Sequence, residues 1–186
     1  MVARAQGIEQ TRRQIIEAAT TLFGQRPFDL VSLADVARAS HLALATVVRQ
    51  FETKEQLFAA AVADASQVLE AHVDRMPEND PAAAVRQGLD GYERFGDAIV
   101  RLLAQEDRLP VVREVTEHGR REHARWVNRA FSGVLTRLDT RRRKVRLAQL
   151  MAATDVLFWK VLRRDLGLTR RETEQAITEI VEDLCR

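Results

Sequence analysis

The chain has 186 residues, of which 46% are hydrophobic and 30% are charged, and its formal net charge is +2. This composition is typical of a globular protein. So small a net charge excludes nucleic-acid binding through an overall basic surface and leaves only a local arrangement of charges for such a role.

Three further features concern the cellular compartment. A single cysteine, Cys185, excludes an internal disulfide and is typical of a reducing environment. The N-terminal residues lack the apolar segment of a signal peptide. The most apolar stretch, LAQLMAATDVLFWKVL, is shorter than the ~20 residues of a membrane span and contains Asp155 and Lys160. We therefore expect a soluble cytoplasmic protein with no membrane partner.

Almost every segment has the periodicity of a helix, and no alternating strand pattern is present. A first helix is predicted over about 9–24, because Ile15, Ala19, Leu22 and Phe23 form an apolar stripe. Ser32 and Asp35 have the spacing of a capping box and open a short second helix. A third short helix follows a tight corner and ends near Phe51.

A longer helix is predicted from Thr53, which has capping-box spacing to Gln56, to about Asp74. The run MPENDP then breaks the pattern, and Asp80 with Pro81 provides the N-cap and first residue of the next helix. Later helices are predicted over about 81–105, 110–138, 141–166 and 169–184, the last one capped by Thr169 and Glu172.

These elements predict an all-α protein with an N-terminal three-helix, helix-turn-helix head and an antiparallel helical body. The predicted boundaries are 1–52 for the head, with the helix-turn-helix at about 32–51, then 53–75 for a connecting helix and 76–186 for the body. A recognition helix must lie in the major groove and needs a scaffold helix packed behind it. The first of the two short helices supplies an apolar inner face for that purpose.

The packing within the predicted helix-turn-helix follows from its apolar residues. Leu33, Val36 and Ala37 form the inner face of the scaffold helix, and Ala39 permits a close approach of the two helices. Leu42 and Val47 are expected to fill the crevice between them. By elimination, the outward face of the third helix comprises Ala43, Leu44, Thr46, Arg49 and Gln50, with Val48 near its rim.

The segment RRQIIEAATTLFGQRPFDLVSLADVARAS, with TVVRQFETKEQLFAAAV after the corner, resembles the DNA-binding domain of the TetR family of bacterial transcriptional regulators. The resemblance covers about residues 9–60. The matching residues are Ile15, Ile16, Ala18, Ala19, Leu22, Phe23, Ser32, Leu33, Val36, Ala37, Ala39, Thr46, Val47, Phe51, Lys54, Glu55 and Leu57.

The resemblance implies that Thr46, with Arg49 or Gln50, faces DNA. It also implies that Lys54 and the amides at the start of the following helix bind a phosphate, a role that suits the unpaired N–H groups of a helix N-terminus. The predicted DNA-contacting residues are Ser32, Ala43, Leu44, Thr46, Val48, Arg49, Gln50, Thr53 and Lys54.

Three residues depart from the family pattern. His41 stands at the corner where glycine is usual, although histidine is among the better-tolerated residues in the left-handed conformation. Ala43 cannot cap the third helix, which weakens its start by ~0.5–2 kcal/mol, and Val48 replaces a common aromatic residue. We expect base discrimination to depend on Thr46, Arg49 and Gln50 together with DNA shape.

The apolar residues of the third helix have a more limited part. Ala43, Leu44, Ala45 and Val48 offer DNA only apolar contacts, for instance with thymine methyl groups.

The last two predicted helices indicate a partner chain. From Leu147 to Leu162 the sequence is apolar nearly all round, so that helix needs cover on two sides, which either a partner or a larger monomeric core could supply. The resemblance implies a homodimer through a four-helix bundle, which would read a palindromic operator. The predicted interface residues are Leu150, Val161, Ile177, Ile180, Val181 and Leu184.

The resemblance also implies an effector pocket in the body for a small molecule that the sequence does not identify. The candidate ligand-binding residues are Tyr92, Phe95, His123, Trp126, Asp155 and Trp159. The aromatic residues among them could equally be plain core. His123 and Asp155 interrupt apolar faces, and buried polar groups need partners. A ligand, a contact across the dimer or a local hydrogen bond would each meet that need.

Catalysis and metal binding have little support in the sequence. Glu114, His118 and Glu122 could share one helix face, but a solvated face explains that spacing better. No motif of a zinc site, phosphate loop or hydrolase is present. We therefore expect neither enzyme activity nor a metal or cofactor. The favoured interpretation is a dimeric repressor released from its operator by an effector. The alternative is a ligand-binding or protein-interaction module of the same fold with an impaired DNA-binding head.

Overall fold

The computed structural model describes residues 2–74 and 78–186, and their side chains except at positions 2–5, 68–70 and 72–73. Within that part of the chain the structure is helical and has no strand, so the predicted all-α class is confirmed. The helices are α1 (Val2–Gln25), α2 (Leu33–Ala39), α3 (Leu44–Gln50), α4 (Lys54–Asp74), α5 (Pro81–Leu103), α6 (Pro110–Ala130), α7 (Ser132–Leu135), α8 (Thr140–Ala153), α9 (Val156–Lys160) and α10 (Arg170–Cys185).

Two short helical turns lie between these helices. A 3₁₀ turn, Phe28–Leu30, follows α1, and a π-helical turn, Val161–Asp165, follows α9. None of the described helices is both long enough and apolar enough to cross a membrane.

The predicted helix starts are confirmed where a side chain caps them. Ser32 and Asp35 form a reciprocal capping box at α2, and Thr169 and Glu172 form another at α10. At α5, Asp80 Oδ1 accepts a hydrogen bond of 2.9 Å from the amide of Ala83. Each bond satisfies a backbone N–H group that has no partner inside the first turn of a helix, which is why these residues set the helix boundaries.

The chain packs as two units. One comprises the residues up to Val68 together with Arg101–Val115, and the other comprises Leu69–Val100 together with Thr116–Arg186. The predicted boundary at 76 falls among residues 75–77, which lie outside the described residues. The sequence did not indicate that Arg101–Val115 would join the N-terminal unit.

The core of the N-terminal unit is built around three phenylalanines. The ring of Phe58 packs edge-on against Phe23 and Phe28, with both centroid separations at 5.0 Å, a preferred aromatic geometry. The segment from later in the chain closes this core, because Val112 is fully buried in it. Gln105 Oε1 also accepts the amide of Phe28 at 2.8 Å.

In the C-terminal unit, the prediction of one helix over 141–166 is wrong. The chain leaves helical geometry after Ala153, and Asp155 becomes the N-cap of α9 by accepting the amide of Leu157 at 2.8 Å. Thr154 assists the break, because its hydroxyl donates to the carbonyl of Leu150 at 2.8 Å. Asp155 therefore caps a helix and does not lie inside one. The helix predicted over 110–138 also ends early, at Ala130, and α7 follows it.

Ion pairs fasten one face of α5 to the C-terminal segments of the same unit. Glu93 receives two hydrogen bonds from Arg163, of 2.7 and 2.9 Å, and a third of 3.0 Å from the indole of Trp159. Arg164 binds both carboxylate oxygens of Asp97 at 2.9 Å. Such two-point contacts between arginine and a carboxylate are stronger and more specific in geometry than neutral hydrogen bonds.

We expect the Glu93 ion pair to make stability depend on acid pH. The hydrogen bonds from Arg163, together with the bond from Trp159, lower the pKa of Glu93 from 4.5 to about 2. Because the folded-state pKa is the lower one, the pair stabilises the fold above about pH 4.5, and that stabilisation is lost as the pH falls towards 2. The loss is on the order of 3 kcal/mol. Denaturant unfolding between pH 6 and pH 2 measures it.

The matched variants for this measurement are Glu93→Gln and Asp107→Asn. Glu93→Gln should be destabilised at pH 6 and should lose less stability on acidification than the unmodified chain. Asp107→Asn removes an exposed carboxylate that pairs with Arg113 at 3.4 Å, and it should leave the pH profile unchanged. Equal acid sensitivity of Glu93→Gln and the unmodified chain would contradict the assignment.

Candidate nucleic-acid interface

The corner between α2 and α3 keeps its turn without a glycine. His41 has φ +54°, the left-handed conformation in which histidine is among the tolerated residues. Two backbone hydrogen bonds close the corner, from the His41 amide to the Arg38 carbonyl at 3.2 Å and from the Leu42 amide to the Ala37 carbonyl at 2.9 Å. The strained residue is thus held by bonds on both sides of the corner.

The start of α3 lacks a side-chain cap, as the sequence predicts. Ala43 occupies the N-cap position, and only its carbonyl takes part, accepting the amides of Thr46 and Val47. An alanine at this position costs ~0.5–2 kcal/mol relative to serine or threonine. Packing must therefore hold α3 in place.

Packing behind α3 is provided by a few fully buried side chains. Val36 and Ala37 of α2 and Val47 of α3 are buried in the core of the N-terminal unit. Leu33 and Leu42 pack against that core and are half-buried. Ala39, expected at the contact between the two helices, is instead exposed, because it lies in the last turn of α2 and faces away from the core.

The exposed surface of α3 is largely apolar. Ala43, Leu44, Ala45, Val48 and Arg49 are exposed, whereas Thr46 and Gln50 are half-buried. Of the three residues that the sequence nominated for base discrimination, Arg49 is therefore the one whose side chain is exposed. Sequence periodicity alone did not distinguish it from the other two.

Helix α1 braces both short helices from behind, which the sequence did not predict. Arg12 reaches the carbonyl of Gln50 at 3.5 Å, and its guanidinium lies 4.4 Å from the ring centroid of Phe51. Gln14 donates to the carbonyl of Ser40, the C-cap of α2, at 2.7 Å. A cation at a helix C-terminus is favourable because it meets unpaired carbonyl groups there. Arg12 and Gln14 thus fix the C-terminal ends of α3 and α2.

We expect Arg12→Ala to loosen α3. Loss of the cation from the carbonyl of Gln50 and from the ring of Phe51 should destabilise the end of the helix by about 1 kcal/mol. Hydrogen exchange should report it as several-fold faster exchange of the Phe51 amide, which bonds to the Val47 carbonyl at 2.8 Å. Arg12→Lys keeps the charge and should restore part of the protection.

The neighbouring Arg13 provides the control for this prediction, because its side chain is exposed. Arg13→Ala removes the same charge from the same helix and should leave exchange in α3 unchanged. Equal acceleration in both variants would assign the effect to helix charge and would contradict a specific brace.

The start of α4 carries the predicted phosphate-binding residues. Thr53 Oγ1 caps the helix by accepting the amide of Gln56 at 3.1 Å. The ammonium of Lys54 donates to the carbonyl of Phe28 at 3.1 Å and lies 4.2 Å from the centroid of the Phe28 ring. An ammonium group has three donors, so this contact occupies part of the group that the sequence assigned to phosphate. The hydroxyl of Ser32 is likewise occupied by its capping box.

Residues 15–61 match the family model described as "Bacterial regulatory proteins, tetR family". That segment holds the C-terminal part of α1, the two short helices with their corner, and the first turns of α4. This match places residues 15–61 in the TetR family.

Solved structures share the fold of this chain over nearly its whole length. A transcriptional regulator from Rhodococcus sp. Rha1 is 18% identical, with 93% of this chain and 95% of that chain covered and a TM-score of 0.72. A TetR-family regulator from Streptomyces coelicolor is 18% identical, with 95% and 79% covered and a TM-score of 0.72. GusR of Salmonella enterica is 17% identical, with 94% and 95% covered and a TM-score of 0.71. No curated protein matches the sequence.

In the C-terminal unit, three candidate ligand-binding residues meet at the break before α9. The hydroxyl of Tyr92 donates to the Thr154 carbonyl at 2.8 Å, and His123 Nε2 lies 3.0 Å from Thr154 Oγ1. His123 Nδ1 is 3.8 Å from the carboxylate of Asp155. Burial lowers the pKa of His123, against the opposing effect of Asp155, and burial raises the pKa of Tyr92. Local hydrogen bonds are thus present for His123, one of the options the sequence left open.

The other aromatic candidates differ in their surroundings. Trp159 is fully buried, and its indole N–H is satisfied by Glu93. Trp126 stacks on His123 at 5.3 Å, and its buried Nε1 has no hydrogen-bond partner among the described residues. Phe95 is half-buried beneath the guanidinium of Arg94. Among the described residues, no three potential metal ligands are grouped, and Glu114, His118 and Glu122 form no such site.

The predicted dimer residues fall into two classes. Leu150, Ile177 and Val181 are buried within a single chain, so they belong to its own core and are not available to a partner. Val161 and Ile180 are exposed at 42% and 40%, and Leu184 is half-buried. Periodicity identified the apolar positions of these helices but not which of them the chain covers itself.

Proposed function

We propose that this protein is a dimeric, sequence-specific DNA-binding repressor that a small-molecule effector releases from its operator. The observation that carries the proposal is the exposure of α3, held from behind by Arg12 of α1 and by the buried Val47, within the segment that matches the TetR family model. This is the arrangement that a recognition helix needs, because a groove-binding helix must be both accessible and rigidly held.

The alternative is a head that no longer binds an operator. The residues that favour it are His41 at the corner and Ala43 at the uncapped start of α3. Against it, the corner keeps both of its backbone hydrogen bonds, and Val47 is fully buried. The missing cap destabilises α3 by about as much free energy as the Arg12 contacts at its C-terminal end contribute. These contacts favour a working head.

Assembly as a homodimer is part of the proposal. The supporting observation is a set of exposed apolar side chains on the C-terminal helices, comprising Val145, Leu157, Val161 and Ile180. A two-fold dimer would carry two copies of α3, and a palindromic operator would match that symmetry. Sedimentation velocity should give twice the mass of one chain, and a monomeric mass at micromolar concentration would contradict this part.

The proposal of effector control rests on a buried N–H donor in the C-terminal unit that has no hydrogen-bond partner among the described residues. A buried N–H group without a partner costs free energy that a bound acceptor would recover, and Trp126 Nε1 is such a group among the described residues. A ligand bearing a carbonyl or carboxylate oxygen would suit it. Release of DNA then requires that the ligand bind the DNA-free state more tightly. We assign the protein to the cytoplasm, where its operator would be accessible, and no catalytic role is proposed.

The deciding experiment is gel retardation with the DNA upstream of the protein's own coding sequence, at physiological salt. Specific sites bind a regulator about 10³-fold or more tightly than random DNA. We expect a retarded band that random duplex of equal length does not compete away. Equal competition by random DNA would overturn the repressor proposal and support the module with an impaired head.

A further inference from the structure

The surface of α3 combines exposed aliphatic side chains with an exposed arginine, and both bear on which bases the helix could contact. Leu44 and Val48 are exposed at 47% and 43%, while Val47 beside them turns into the core. Residues four apart on a helix are neighbours on its surface, with about 5–6 Å between their Cβ atoms. Leu44 and Val48 therefore form one continuous aliphatic patch, with the exposed Arg49 next to it.

The partner of this patch is constrained by chemistry. A major groove presents hydrogen-bond donors and acceptors along the base edges, and its one apolar group is the C5-methyl of thymine. Leu44 and Val48 cannot pair with polar base edges, and covering those edges with aliphatic carbon would leave them unsatisfied. Thymine methyl groups are the part of the groove that the patch fits.

Resting on the proposed function, we propose that Leu44 and Val48 specify the operator by direct contact with thymine methyl groups. Duplex DNA is the occupant because the patch lies on the exposed face of the recognition helix, inside the segment of residues 15–61, and is continuous with Arg49. Neighbouring base pairs are about 3.4 Å apart, so the two side chains reach thymines at neighbouring positions of each half-site. Arg49 supplies the adjacent polar contact, for which guanine is the preferred base.

The test begins with selection of an operator from random duplex DNA by the full-length protein. Each thymine of the selected site is then replaced, one at a time, by deoxyuridine, which removes the methyl group and leaves base pairing intact. Affinity is measured by fluorescence anisotropy at physiological salt. We expect about fourfold weaker binding at one or two neighbouring thymines of each half-site, the factor that corresponds to roughly 0.8 kcal/mol for one buried methyl.

Variants assign the effect to the patch. Val48→Thr keeps the shape of the side chain and replaces one methyl by a hydroxyl, and Leu44→Ala truncates the other residue. In each variant, the ratio of the affinities for thymine and uracil should fall towards one at the position that the substituted residue contacts. Leu166→Ala makes the same truncation as Leu44→Ala at an exposed position outside α3 and outside the proposed dimer surface, and it should leave the thymine preference unchanged.

The outcomes separate this inference from the proposed function. Failure to enrich any sequence would overturn the repressor proposal and this inference with it. Tight, specific binding with equal affinity for thymine and uracil at every position would overturn the methyl contact alone. A lower sedimenting mass for Leu44→Ala and Val48→Thr, with an unchanged thymine preference, would assign the patch to a protein partner instead.

Discussion

We expect Arg49→Ala to weaken operator binding by about tenfold to a hundredfold and to relax sequence preference at one position of each half-site. Arg49 is the exposed polar residue of α3, and a two-point contact of arginine with guanine contributes ~1–3 kcal/mol of discrimination. Gln50→Ala should have a smaller effect, because the Gln50 side chain is half-buried. Anisotropy titrations on the selected operator and on single-base variants of it measure both quantities.

A charge-matched control separates base contact from general attraction to phosphate. Arg142 is exposed on α8, where it pairs with Asp139 at 3.6 Å, and Arg142→Ala removes the same charge. That variant should retain the sequence preference of the unmodified chain. A uniform loss of affinity across all sequences in Arg49→Ala would instead assign Arg49 to the backbone of DNA. Full affinity with unchanged preference would show that α3 does not read bases through Arg49.

The second large effect is expected at Gly96 in α5. A Cβ atom at this position would lie 2.5 Å from the ring of Trp159, which is fully buried. The indole is fixed on two sides, by its hydrogen bond to Glu93 and by the guanidinium of Arg164 at 4.6 Å from the ring. Because the ring cannot give way cheaply, Gly96→Ala should destabilise the C-terminal unit by ~1–3 kcal/mol. Denaturant unfolding at neutral pH measures it.

Gly119 of α6 is the matched control, since the same substitution there meets no atom within 4 Å. Gly119→Ala should stabilise the protein by ~0.5–1 kcal/mol, because alanine loses less conformational entropy in a helix than glycine does. The two substitutions are chemically identical and should have opposite signs. Stabilisation by Gly96→Ala would show that Trp159 has room to move and would contradict the close packing.

Much of the DNA-binding head could be predicted from its residues. The capping box at Ser32, the left-handed corner at His41 and the uncapped start at Ala43 have the expected geometry. Thr53 also caps α4, although Gln56 accepts the amide of Glu52 and not that of Thr53. Each depends on groups within one helical turn, so the local sequence contains the whole cause. The roles of Arg12 and of the Lys54 contact with Phe28 could not be predicted, because both depend on residues more than twenty positions away.

The helical class, the resemblance of the N-terminal segment to the TetR family and the scarcity of polar residues on α3 could all be read from the sequence, because they depend on residue types and their spacing within single helices. Which apolar residues lie in the core and which lie at the surface depends on the folded arrangement of the helices. That arrangement buries Val112 with the head and Leu150, Ile177 and Val181 within one chain, and it leaves Leu44, Val48 and Ile180 in solvent. Hydrophobic periodicity gives the face of a helix, but burial depends on what the folded chain places against that face.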